Sequence, residues 1–186
     1  MIATEPRPGA TRPRLPLDAR WYQLRPDVPA PAEQRFGAAG PALARFTSAV
    51  MAAADPAPEL VAGLALGGVD PPALGVLTVA TVPAAGYGMG GVPDAATMVA
   101  RLSPLFSPPI PGWRELAAVS LPDGTPSVRT RRPETAGGVV VETLRYLCLS
   151  PDGRTLAVGS FLFSDVRARE QLVAAADSVL GGMRWT

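Results

Sequence analysis

The sequence predicts an α+β fold in which a mostly antiparallel, twisted sheet carries helices on both faces. Runs of β-branched and apolar residues are joined by short turns rich in Pro, Asp and Gly, which is typical of antiparallel strands. One run, Val139–Leu149, has mostly apolar side chains at both odd and even positions, so it needs cover on both faces. Other segments have apolar residues at helical spacing and can supply that cover.

Residues 1–17 are predicted to form a flexible tail, and residues 18–186 a single domain. The tail mixes prolines with arginines and has too little apolar surface to fold by itself. The remaining length suits one domain, and a hydrophobic content of 47% is sufficient for one core.

The domain is predicted to begin with a strand and a helix. The strand covers residues 19–24, with Trp21 and Tyr22 on opposite faces. The helix covers residues 41–54, because Pro41 suits a first helical turn and the apolar residues keep helical spacing. Those residues are Leu43, Phe46, Val50 and Met51.

Two hairpins are predicted in the middle of the chain. Residues 60–66 and 73–82 are apolar runs separated by Gly and Pro, so they can pair directly. Residues 113–121 and 125–132 form the second pair across a Pro-Asp-Gly turn. The polar composition of residues 125–132 places them toward a sheet edge.

The C-terminal hairpin has the clearest pattern. After Val139–Leu149, the sequence Ser150-Pro151-Asp152-Gly153 predicts a tight turn, because Pro presets φ and Gly accepts a positive φ. Residues 154–163 then return as the antiparallel partner.

An amphipathic helix is predicted after this hairpin. Ser164 or Asp165 caps its start, and Gly181 and Gly182 end it by accepting a left-handed conformation. Trp185 then anchors a short last strand to the sheet. The apolar stripe of the helix consists of Leu172, Val173, Ala176, Val179 and Leu180.

Two segments, VETLRYLCLSPDGRTLAVGSF (residues 141–161) and LVAAADSVLGGMRW (residues 172–185), carry a family resemblance. A hairpin, then a last helix that runs directly into a short strand ending in Trp, resembles the PsbP-like α/β/α sandwich. The resemblance implies a protein without enzymatic activity, since members typically act as extrinsic subunits, small lipoproteins or binding partners of other proteins. No functional residue is carried over, because no functional motif is matched, and the lipobox Cys and signal of exported members are absent.

The composition excludes several classes of site. A net charge of +1 gives no electrostatic reason to bind nucleic acid or an anionic membrane. The absence of His excludes Ser–His and Cys–His dyads and His-ligated metals. The single cysteine, Cys148, excludes an internal disulfide and a CxxC motif, and its apolar strand predicts an inert core thiol.

The composition also predicts where the protein is found. All basic residues are Arg, and Ala, Gly, Pro and Arg are abundant, which indicates a GC-rich bacterial genome such as that of an actinobacterium. The first residues contain no apolar run of the length needed for a signal sequence or a membrane span. We therefore expect a cytoplasmic protein.

A glycine-rich loop is the candidate ligand-binding segment. Gly86, Gly88 and Gly91, with Tyr87 between them, match G-x-G-x-x-G after a strand and before a helix predicted from Asp94 to about residue 106. No acidic residue follows at the distance that a ribose hydroxyl requires, and the downstream strands are antiparallel. The loop is either a lid over an apolar pocket or a surface loop.

A cluster of arginines is the candidate partner-contact surface. It comprises Arg129, Arg131 and Arg132, with Trp113 and Arg114 nearby in the sequence. Arginines can bind carboxylate or phosphate through paired hydrogen bonds. The alternative is a solvated edge strand whose charges deter pairing with other sheets.

The carboxylates are dispersed along the sequence, and no pair has the spacing of an acid–base dyad or a metal loop. Glu142 lies among apolar neighbours, and we expect it to pair with a cross-strand arginine such as Arg154 or Arg129. No catalytic residue, cofactor or metal is predicted.

These observations favour a non-catalytic accessory protein that binds another protein through a sheet face or edge and through the loops near Gly86 and Pro108. A small-molecule-binding protein with the Gly86–Gly91 loop over an apolar pocket is the alternative. An enzyme is the third hypothesis.

Overall fold

The computed structural model describes residues 12–24, 34–54, 56–92, 94–106, 115–136 and 139–186. The α+β prediction is confirmed, because these residues form a seven-stranded antiparallel sheet with helices packed on both faces. A separate two-stranded sheet joins the two ends of the described chain.

Apart from β1, which lies in the segment predicted as a tail, the strands follow the predicted order along the sequence. They are β1 (Pro13–Arg14), β2 (Trp21–Gln23), β3 (Leu60–Leu66), β4 (Ala73–Pro83), β5 (Glu115–Ser120), β6 (Pro126–Ala136), β7 (Val139–Leu149), β8 (Thr155–Phe163) and β9 (Arg184–Trp185). The main sheet has the order β2-β3-β4-β8-β7-β6-β5, and β1 pairs with β9. The central strands are therefore β8 and β7, which form the hairpin with the clearest sequence pattern.

The described helices are α1 (Gly40–Ala53), α2 (Ala95–Leu102) and α3 (Arg169–Leu180). Helix α3 packs on the sheet face that carries Leu144, Tyr146 and Cys148, which we call the α3 face. Helices α1 and α2 cover the opposite face, over separate apolar clusters. The strand that is apolar on both sides is thus covered on both sides, as its sequence predicts.

The turn between β7 and β8 confirms the prediction for Ser150–Gly153. The Gly153 N–H donates to the Ser150 carbonyl at 2.8 Å, and Gly153 has a φ of 69°. Asp152 accepts the Arg154 N–H at 3.1 Å, so the turn is held by backbone and side-chain bonds.

Both ends of α3 differ from the prediction. Asp165 accepts the Arg167 N–H at 2.9 Å and so caps a short 3-10 turn, Val166–Ala168, before α3 begins. Gly181 has a φ of −69°, so it does not end α3 in a left-handed conformation. Glycine is required at position 182 for lack of space, because a Cβ there would lie 2.8 Å from the Pro16 ring.

The described structure begins at Arg12, within the segment that the sequence predicts to be a tail. The Arg12 N–H donates to the Thr186 carbonyl at 2.9 Å, and the Thr186 N–H donates to the Arg12 carbonyl at 3.0 Å. Leu15 and Leu17 pack against the core under α3. The proline-rich composition does not prevent this contact, because the strand pair needs only two residues on each side. Residues 1–11 lie outside the described part.

The arginine-bearing strand β6 is not at the edge of the sheet. It runs to Ala136, four residues beyond the predicted end, and it pairs with β7 from Ser127 to Ala136. Strand β5 pairs with its other side and forms the edge. The polar side chains of β6 are accommodated by ion pairs described below.

No helix within the described ranges combines the length and the apolar character needed to cross a lipid bilayer.

Cys148 is expected to be unreactive in the folded protein. It is fully buried, and burial raises the pKa of its thiol to about 12. Since the thiolate is the reactive form, reaction with a disulfide reagent such as DTNB near pH 8 should be about a thousandfold slower than in denaturant. Absorbance of the released thiolate measures both rates, and full reaction of the native protein within minutes would contradict this prediction.

Candidate functional site

Arg129 connects β6 to the edge strand and to α3. Its Nε donates to Asp177 Oδ1 at 2.8 Å, and Nη2 donates to Asp177 Oδ2 at 3.0 Å. Its Nη1 lies 2.6 Å from Glu115 Oε1, and only 12% of the side chain is exposed. Burial acts to lower the pKa of Arg129, but the hydrogen bonds to Asp177 and Glu115 outweigh it and raise the pKa. The guanidinium is therefore committed to internal partners.

Tyr146 completes this cluster. Its phenol donates to Asp177 Oδ1 at 2.9 Å. Burial and the negative charge of Asp177 raise the pKa of the phenol, so it stays protonated as a donor. Gly181 is needed here, since a Cβ at that position would lie 2.6 Å from the Asp177 carbonyl oxygen.

Glu142 lies between two arginines on the same face. Its Oε1 accepts a hydrogen bond from Arg131 Nε, and its Oε2 accepts one from Arg169 Nε at 2.9 Å. Only 7% of Glu142 is exposed. The predicted partners, Arg154 and Arg129, are wrong.

The partners of Glu142 follow from the register and from α3. Arg131 pairs with Leu144, two residues along β7, and therefore lies diagonally across from Glu142. Arg169 is the first residue of α3, and its position depends on the packing of the helix. The alternation of side chains along a strand therefore does not predict that Arg169 binds Glu142.

The structure separates the predicted partner contacts. Arg129 and Arg131 share the α3 face, and Arg132 lies on the opposite face. Trp113 and Arg114 lie outside the described residues, as does Pro108. The internal ion pairs of Arg129 and Arg131 leave little of either side chain exposed.

Two exposed valines lie close in sequence to Glu142 and Arg169. Val140 is 69% exposed and stands two residues before Glu142 on the same face of β7. Val166 is 68% exposed and precedes Arg169 by three residues. We call this region, with Arg131, the β7–α3 surface. The pattern VVV at residues 139–141 predicts burial, but β8 ends at Phe163 opposite Glu142, so Val140 extends past it.

The glycine-rich loop is folded onto the core. Ala84–Tyr87 is a 3-10 turn, Gly88 and Gly91 have φ values of 68° and 69°, and the Met89 N–H donates to the Ala84 carbonyl at 2.8 Å. Gly86, Tyr87, Gly88 and Gly91 are exposed, whereas Met89 is fully buried in the apolar cluster under α2. Met89 therefore packs as part of the core, and ligand binding by the loop stays a prediction.

The helix that follows the loop is capped by a side chain. A phosphate binds at the free N–H groups of a helix N-terminus. Here Asp94 accepts the Thr97 N–H at 2.7 Å, and that hydrogen bond lowers the pKa of the carboxyl. The carboxylate therefore takes one of the N–H groups that a phosphate would use, which counts against a dinucleotide site.

Comparison with known proteins bears on the fold. No family model matches the sequence, and no curated protein matches it. A solved structure, described as LpqN involved in cell envelope biogenesis of Mycobacterium tuberculosis, aligns with a TM-score of 0.52. The alignment covers 96% of this chain and 86% of that chain, at 13% identity.

The chain is similar in fold to LpqN. At 13% identity this likeness shows the fold alone. An α/β fold of this kind is compatible with the PsbP-like resemblance, and membership of that family stays a prediction. LpqN supplies no residue roles, so the remaining polar residues are interpreted from this chain's geometry.

A row of polar side chains crosses the sheet face that α1 and α2 cover, which we call the α1–α2 face. This row was not predicted. Thr78, Ser160, Arg145 and Thr130 are direct cross-strand neighbours on β4, β8, β7 and β6. Arg145 Nε donates to Ser160 Oγ at 2.9 Å. The row separates the apolar cluster under α1 from the one under α2. The row is hard to predict from the sequence, because each of the four strands contributes only one residue to it.

The described residues contain no group of three or more His, Cys, Asp or Glu side chains placed to hold a metal ion. The buried carboxylate of Glu142 is bound by two arginines, and burial keeps the thiol of Cys148 protonated at neutral pH. Close in sequence to the Glu142 ion pairs, Val140 and Val166 are exposed apolar side chains.

Proposed function

We propose that this chain is a non-catalytic accessory protein that binds another protein through the β7–α3 surface. One observation carries the proposal. Val140 and Val166 expose more than two thirds of their surface, and they precede by two and three residues the Glu142 and Arg169 that form an ion pair. Apolar side chains grouped within a polar rim are the usual anatomy of a protein interface, and arginine is enriched there.

The ion pairs prepare this surface for binding. Glu142 holds Arg131 from β6 and Arg169 from α3, so both arginines are already ordered in the free protein. Arg169 remains 31% exposed, so its positive charge contributes to the surface potential that an acidic partner meets. A partner with an apolar anchor flanked by acidic residues fits these features.

The likeness to LpqN supports an accessory role in a general way. That protein is described as involved in cell envelope biogenesis, and this chain shares its fold. We extend the proposal to the compartment that the sequence predicts, the cytoplasm of a GC-rich bacterium. Fractionation of the source cells with an antibody to the chain tests the location separately from the binding.

The binding test is capture of the tagged protein from its own cells, compared with a double variant. Val140→Asp with Val166→Asp should reduce the captured partner at least tenfold, because two charges would enter an apolar contact. Quantitative mass spectrometry of the eluates measures the ratio. Equal melting temperatures of variant and parent show that the surface, and not the fold, is altered.

Tyr87→Asp is the matched control. Tyr87 is also an exposed large apolar residue, and it lies in the glycine-rich loop away from α3. Capture should survive this change. Loss of the partner with Tyr87→Asp and retention with the double valine variant would move the binding surface to the loop, and equal capture by all forms would contradict the proposal.

A further inference from the structure

Within the described residues, strand β5 forms an edge of the main sheet. In the described residues its only strand partner is β6, and all of its residues are exposed or half-buried. Edge strands are commonly protected by inward charges, Pro or bulges. Residues 116–120 contain none of these, since the arginines lie on β6. The opposite edge, β2, has only three residues.

The hydrogen-bond pattern shows which groups of β5 point outward. The Leu121 N–H donates to the Thr125 carbonyl, so Leu121 and Thr125 form a hydrogen-bonded pair. Bonded and non-bonded pairs alternate along an antiparallel ladder. Residues 115, 117 and 119 therefore bond to β6, and Leu116, Ala118 and Ser120 direct their N–H and carbonyl groups away from the sheet.

We propose that β5 pairs in antiparallel orientation with β5 of a second copy of this chain. The two-fold axis of such a pair is perpendicular to the sheet and keeps each face on its own side. Residues opposite each other in an antiparallel pair share a face, so one residue lies opposite its own copy and the axis passes midway between the two. With the axis between the two Ala118 residues, Leu116 lies opposite Ser120 of the second copy, and the outward groups of Leu116, Ala118 and Ser120 are paired.

This register joins compatible groups. Three pairs of two bonds each give roughly six backbone hydrogen bonds. On the α3 face, Ala117 lies opposite Val119 of the second copy, and on the other face the small Ala118 side chains meet. The strand's single charge, Glu115, is bound by Arg129 at 2.6 Å and does not face another Glu115.

The match of β5 to its own sequence favours a second copy as the occupant. No like charges are placed opposite each other, and each outward residue finds a partner of suitable size. The contact of one strand is small, so the dimer should dissociate in the micromolar range. Sedimentation velocity over a concentration series should therefore show the 19.2 kDa monomer converting to a dimer.

Substitutions at Ala118 test the axis. The Ala118 N–H points outward, so Ala118→Pro removes no bond to β6 and should give a monomer that unfolds like the parent. Ala118→Lys places two like charges on the axis and should also give a monomer. Val166→Lys adds the same charge in the turn after β8, which β7 and β6 separate from β5, and should leave dimerisation unchanged.

A disulfide provides a positive test. Across a bonded pair the Cα atoms are about 5.5 Å apart, which a disulfide can span. Ala118→Cys should form a covalent dimer on mild oxidation, and Ala117→Cys, off the axis, should form less than a tenth as much. The native Cys148 is buried and does not compete.

The outcomes separate this proposal from the proposed function. A parent protein that stays monomeric throughout the concentration series, or a dimer that survives both Ala118→Pro and Ala118→Lys, would overturn β5 pairing. Neither result affects partner capture through Val140 and Val166. Conversely, a capture experiment that contradicts binding through Val140 and Val166 would not contradict the dimer.

Discussion

Glu142→Ala is expected to destabilise the protein by about 3–5 kcal/mol, because the change leaves the ion-pairing groups of Arg131 and Arg169 without their buried carboxylate. Glu142 is only 7% exposed, so water cannot replace it fully. For a chain of this length the loss corresponds to a fall in melting temperature of about 6–20 °C. Differential scanning calorimetry measures it.

Two further variants define the cause. Glu142→Gln keeps the size of the side chain and one acceptor oxygen, so it should lose less stability than Glu142→Ala. Replacing Glu142, Arg131 and Arg169 together with apolar residues of similar volume should restore most of the loss, since no charge then remains buried and unpaired. A triple variant less stable than Glu142→Ala would contradict this account.

Gly75→Ala is expected to lower the free energy of unfolding by about 3 kcal/mol, because it overpacks the core. A Cβ on Gly75 would lie 2.1 Å from Cζ of Phe161, a fully buried ring. Phe161 also contacts Trp21 edge to face at 5.5 Å between ring centroids, so it has little room to move. Urea unfolding should show a lower midpoint at an unchanged slope.

Gly67→Ala is the matched control for this substitution. Nothing lies within 4 Å of a Cβ at Gly67, and its φ is not positive, so stability should change by less than about 0.5 kcal/mol. Phe161→Leu in the Gly75→Ala background should recover part of the loss. Equal destabilisation at Gly67 and Gly75 would show that the contact with Phe161 is not responsible, since the entropy lost by the unfolded chain on Gly→Ala favours folding.

Local patterns predicted much of the fold. The turn at Ser150–Gly153 follows from residues adjacent in sequence, and the opposite faces of Trp21 and Tyr22 follow from strand periodicity. Helix α1 begins beside Pro41, as its helical spacing predicts. In each of these cases a few neighbouring residues determine the conformation.

Contacts between distant segments were not predictable in this way. Arg169 reaches Glu142 only because α3 packs across the sheet, and Gly182 is required by Pro16. Of the candidate partner contacts, Arg131 contributes to the β7–α3 surface. The exposure of Val140 was not predicted, because it depends on where β8 ends.

The pairing of Arg12 with Thr186 determines which way the molecule faces when it is tethered at residue 186. Because these two residues are bonded to each other, a linker attached at residue 186 leaves beside β1. That point follows the C-terminus of α3, whereas Val166 precedes its N-terminus, about 18 Å away along the helix. A protein anchored at residue 186 therefore presents Val166 away from its anchor, free to meet a partner.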